Sequence, residues 1–89
     1  AMDLRNMICN SEKDRQTILL NNSLEEIDNA INYVSPPGLK HRVIILNSTD
    51  GSLIQAVGDS LPSGTSIVTS SCVLAKGDTK VKAEVQVWY

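Results

Sequence analysis

Residues 65–89 read TSIVTSSCVLAKGDTKVKAEVQVWY, and the reading of this stretch decides the fold. Val81, Ala83, Val85, Val87 and Tyr89 fall on one face, and Lys80, Lys82, Glu84, Gln86 and Trp88 on the other. That alternation is the period-two signature of a strand with one buried side. Lys76-Gly77-Asp78 supplies a tight turn, so the stretch predicts an antiparallel hairpin containing Cys72 and ending in Trp88-Tyr89. Upstream material is expected to fold against it.

Immediately upstream, the apolar run Val43-Ile44-Ile45-Leu46 begins after His41 and Arg42 and ends at Asn47. Asn47 to Gly51 is a turn in which Asp50-Gly51 favours a positive φ, and residues 52–57 return as a strand. Residues 58–64, GDSLPSG, form a loop of turn formers. Further back the period changes. Ser23 and Glu26 have the spacing of a capping box, and Leu24, Ile27, Ile31 and Val34 recur at helical spacing. Ser35-Pro36-Pro37-Gly38 stops the helix, because proline offers no amide and restricts the residue before it. The spacing therefore predicts one helix over 24–34. Before it, Met7-Ile8-Cys9 reads as a short first strand, Ser11 to Asp14 as a polar turn, and Arg15 to Leu20, with β-branched Thr17 and Ile18, as a second strand.

The 89 residues make one domain, 1–89, with Ala1-Met2 reading as a cloning remnant. A chain this short buries only about 60–65% of its unfolded surface. Its aromatic residues are Tyr33, Trp88 and Tyr89, so the core must be aliphatic and a covalent staple would help it. Cys9 and Cys72 are the candidates: either a bridge in an oxidising compartment or two buried thiols in a reducing one. The net charge of −2 and the scattered lysines and arginines do not favour nucleic acid, whose binding needs a basic stripe. No apolar run reaches the roughly 18–20 residues of a membrane span.

Catalytic groups are not evident. His41 is the one histidine, and with two cysteines it does not complete a four-ligand zinc set. It reads as a solvated residue between loop and strand. The serines lack a G-x-S-x-G elbow. Asp50, Asp59 and Asp78 stand beside glycines, where turn geometry accounts for them. No catalytic residue, metal ligand or cofactor is therefore expected. Asn21-Asn22-Ser23 and Asn47-Ser48-Thr49 are glycosylation sequons. Trp88, beside Lys80 and Lys82 on the outer face of the last strand, is the candidate partner-binding residue. A register shifted by one would instead bury it.

Cys9 in MIC, and Cys72 in SSCVLAKGD running into TKVKAEVQVWY, resemble the layout of the MAX-type effectors, the Magnaporthe avirulence and ToxB-like proteins of plant-pathogenic fungi. That resemblance implies a six-stranded antiparallel β-sandwich of two three-stranded sheets; the 24–34 helix, inserted between strands 2 and 3, departs from the family, which has a shorter connection there. It implies a Cys9–Cys72 bridge from the first strand to the start of the fifth. It further implies a secreted monomer, translocated into host cells, that modulates immunity by binding a host plant protein such as a heavy-metal-associated domain. The alternatives are a phage- or virus-encoded or cytosolic β-barrel module binding protein or single-stranded nucleic acid, and a small hydrolase.

Overall fold

The computed structural model describes residues 8–89. Helices α1 (Glu12–Leu19) and α2 (Glu25–Val34) are followed by strands β1 (Lys40–Asn47), β2 (Leu53–Gly58), β3 (Val68–Lys76) and β4 (Thr79–Trp88). All pairings are antiparallel, and the strands lie in one sheet in the order β2-β1-β4-β3. The six-stranded sandwich is thus corrected to a single four-stranded sheet with two helices. Ile8, Ile18, Leu24, Ile27 and Ile31 pack on Val43, Ile45, Leu74, Val81, Ala83 and Val85, so the helices cover one face.

Both N-terminal strand expectations fail. Arg15 to Leu19 belongs to α1, and Ile8 and Cys9 are helical; Met7, the start of the other expected strand, lies outside the described residues. The reason is capping. Ser11 is the N-cap of α1, its Oγ accepting the Asp14 amide at 3.4 Å, with acidic Glu12 and Asp14 in the first turn where the helix dipole favours them. At the other end Asn21 takes a positive φ of 54°. The Asn22 amide reaches the Thr17 carbonyl at 2.9 Å and the Asn21 amide the Ile18 carbonyl at 3.1 Å. Those two bonds make a Schellman motif with asparagine in the left-handed position. A capped amphipathic segment that buries Ile18 outweighs the strand propensity of Thr17 and Ile18.

Helix α2 forms where the spacing predicts it, with a different start. Leu24 is its N-cap and makes no side-chain capping bond. Ser23 Oγ accepts the Glu25 amide at 3.2 Å, and Glu26 pairs with Lys13 at 3.2 Å, so the reciprocal Ser23–Glu26 box is not formed. The Gln55 side chain instead ties the interhelical joint to β2. Its Oε1 accepts the Leu24 amide at 3.2 Å, and its Nε2 donates to the Asn22 carbonyl at 3.0 Å.

Cys9 and Cys72 form a disulfide that spans 63 positions of sequence. Cys72 is the Cα partner of Ala83, so the bridge lies on the helix-covered face. It fastens Ile8, which is fully buried, to the edge strand β3.

Candidate functional site

The functional candidates follow from how β2 is connected to β3. These strands are the opposite edges of the sheet. Gly58 is the partner of Arg42 and Val68 of Val87, so residues 59–67 must pass across the ends of β1 and β4. The crossing is anchored where it starts. The Asp59 amide donates to the His41 carbonyl at 2.8 Å, and the His41 amide donates to Asp59 Oδ2 at 3.2 Å. Gly58 permits this: its φ is +108°, and a Cβ there would stand 2.5 Å from the His41 carbonyl oxygen.

Trp88 is the partner of Lys40 at this same end. By register it shares a face with Lys82, Glu84 and Gln86, as its position in the alternation requires. It is nevertheless only 6% exposed. The expected exposed anchor is a buried one. An open cleft of about 340 Å³ lies against it, lined by Leu39, Thr65, Ser66, Val68, Val87, Trp88 and Tyr89. Its walls are mainly apolar, with the hydroxyl-bearing residues Thr65, Ser66 and Tyr89 and no charged side chain. Two of the wall residues are strongly exposed, Val68 at 65% and Tyr89 at 75%. The Tyr89 ring rests by Gly38, 3.9 Å from where a Cβ would be. Tyr33, 91% exposed, is on the last turn of α2, five residues before Gly38. At the cleft a buried tryptophan thus stands beside an exposed tyrosine, Tyr89, while Tyr33 is not among the lining residues.

The other expected binding residues are not part of this cluster. Along β4 at about 3.4 Å per residue, Lys82 lies roughly 20 Å from Trp88 and Lys80 roughly 27 Å. Lys82 is also neutralised by Glu84 at 3.3 Å. A second hollow, lined by Thr17, Asn22, Ser23, Glu25, Glu26 and Asn29, has only polar residue types around it and borders the two helices.

His41 is likewise corrected from solvated to buried, at 2% exposure. Its Nε2 bonds Asp28 Oδ1 at 2.6 Å, and its Nδ1 has no hydrogen-bond partner. The pair latches α2 to β1. His41, Val43 and Ile45 are spaced two apart, so period two already placed the histidine on the buried face; the partner, thirteen residues earlier on a helix, gave no local signal. No nucleophile joins the pair among the contacts described, and no cluster of three or more His, Cys, Asp or Glu able to hold a metal occurs among the described residues. Comparison with protein-family models, curated proteins and solved structures finds no match to this chain.

Proposed function

We propose that this chain is a secreted, disulfide-stapled protein that acts by binding a host protein through the aromatic end of its sheet. The observation that carries the reading is the pairing of Trp88 and Tyr89 in an apolar cleft whose walls are exposed at Val68 and Tyr89. Aromatic side chains offer large contact area with few rotatable bonds, which is why they dominate interface energetics. Trp88 is immobilised by its burial and gives the cleft a rigid floor, while Tyr89 and Val68 provide surface that a partner would cover. With no charge in the lining, the complementary group is an uncharged apolar side chain, and Thr65 and Ser66 supply hydroxyls for adjacent main-chain atoms. The disulfide suits an oxidising compartment. The partner class is a host protein, and the resemblance to MAX-type effectors implies one such as a heavy-metal-associated domain.

The test compares three immobilised proteins in extracts of a candidate host, with quantitative mass spectrometry of what each retains. A partner held by the wild type should be lost with the Val68→Ser/Tyr89→Ser pair and kept with the Lys80→Ser/Lys82→Ser pair. Equal retention by the first pair, or loss with the second, overturns the assignment to this end.

A further inference from the structure

The structure distinguishes the two sequons, and we infer that Asn47, not Asn21, is the N-glycosylation site of this chain. The inference rests on the secreted reading above. Both sequons offer an asparagine amide and a hydroxyl two residues on, but the fold commits them differently.

Asn21-Asn22-Ser23 is the joint between the helices. Asn21 holds the left-handed position of the α1 cap, and its Oδ1 accepts Gln55 Nε2 at 3.2 Å. The Asn22 carbonyl accepts the same Nε2, and Ser23 Oγ is occupied by the Glu25 amide. Each residue type there is explained by capping: asparagine tolerates positive φ, and serine accepts a helix-start amide.

Asn47-Ser48-Thr49 opens the β1–β2 turn, with Ser48 to Gly51 exposed. Asn47 Oδ1 accepts the Thr49 amide at 2.8 Å, while the Asn47 amide bonds the Ser52 carbonyl and its carbonyl accepts from Gly51. These bonds use the oxygen of the side-chain amide and the main chain and leave Nδ2 to carry a sugar, as the bond to Asn21 Oδ1 also does; what separates the two sequons is the Asn21 cap position and the hydroxyl two residues on. The Thr49 hydroxyl makes no hydrogen bond among the described residues, in contrast to Ser23. Exposed Leu53, the partner of Leu46 beside this turn, is apolar surface that a glycan there would shelter.

In the reaction the Asn47 Nδ2 attacks the anomeric carbon of an oligosaccharide carried on a polyisoprenyl diphosphate. The carbon–oxygen bond to the diphosphate breaks, and its electron pair leaves with the diphosphate. One Nδ2 proton passes to a base of the transferase. Nothing is oxidised or reduced. The position matters for the binding end. Asn47 is the partner of Val81 and Lys40 of Trp88, so the glycan would stand seven residues along β1 from the aromatic cleft, about 23 Å away. Modification and binding thus occupy opposite ends of one sheet.

The full chain, given a cleavable leader, is expressed in a eukaryotic secretory cell and recovered from the medium. The expected product carries one glycan removed by peptide N-glycosidase F, which converts Asn47 to aspartate. That mass step is absent in Asn47→Gln and in Thr49→Ala, and present in Asn21→Gln and Ser23→Ala. Thr49→Ala and Ser23→Ala remove the sequons without altering either asparagine, so loss of folding does not obscure the result. A glycan on Asn21, on both asparagines, or on neither in a secreted chain with its disulfide formed, overturns the inference. Because the leader is supplied, these outcomes do not depend on whether the natural protein is secreted; finding it retained in the cytosol of its own cell would sink the secreted reading and the natural modification with it, but not the choice of Asn47 over Asn21.

Discussion

Replacing Cys9 and Cys72 together by alanine removes the only covalent constraint described on the N-terminal segment. The bridge spans 63 positions. Closing a loop of that length lowers the entropy of the unfolded chain, and the chain-entropy relation gives a stabilisation of about 4 kcal/mol. Small domains have total stabilities of only about 5–15 kcal/mol, so this one bond is a large share. A domain of this size shifts its melting temperature by about 4–8 °C per kcal/mol, which sets the expected fall on the order of 20 °C. The structure also says where the loss begins. Ile8, fully buried against the sheet, is held next to Cys9, and freeing that residue uncovers the α1 side of the core. Calorimetric melts of the wild type, oxidised and reduced, and of the double variant give the answer. The reduced wild type and the variant should melt together, far below the oxidised protein. If both melt within a few degrees of it, the bridge does not staple the fold in the way its position implies.

Trp88→Ala should cost about 3–5 kcal/mol in urea unfolding, as for other large buried side chains, and leave little folded protein, whereas Trp88→Phe should still fold. Asp28→Ala leaves His41 Nε2 without a partner beside an already unpartnered Nδ1, and should lower stability by about 1–3 kcal/mol; Asp28→Asn keeps the acceptor oxygen and should cost less. Burial raises the Asp14 carboxyl above its ordinary 3.8 despite the Ser11 hydrogen bond and Lys13. The folded chain therefore binds the proton more readily than the unfolded one, and Asp14's contribution to stability falls as pH rises from 3.8 through the raised value. Across that window the unfolding free energy of Asp14→Asn should rise relative to the wild type, and below it the difference between the two should no longer change with pH.

Local patterns carried much of this fold. The alternation through β4 and the two-residue turn at Gly77-Asp78 placed the C-terminal hairpin, the Asp50-Gly51 turn placed β1 against β2, and the Leu24–Val34 spacing with its proline stop placed α2. The N-terminal third was misjudged because Thr17 and Ile18 were weighed by propensity. The Ser11-x-x-Asp14 cap and the Asn21 terminator were both present in the sequence and argued for a helix. The strand order, with β4 between β1 and β3, depends on pairings far apart in sequence that no local pattern encodes. The same holds for the candidate site. Period two assigned Trp88 to its face correctly, but it is buried where Leu39, Tyr89 and the 65–68 segment meet, which no local pattern encodes. The lysines looked like neighbours of Trp88 only because a face was considered without the length of the strand.

The claim that the aromatic end is where this protein meets its partner is tested most directly by hydrogen–deuterium exchange of the free and partner-bound chain. The account predicts that binding slows exchange at residues 65–68 and 87–89 and in the 35–39 connection, and leaves the 47–52 turn unchanged. Slowed exchange at that turn, with none at the Trp88 end, would contradict it.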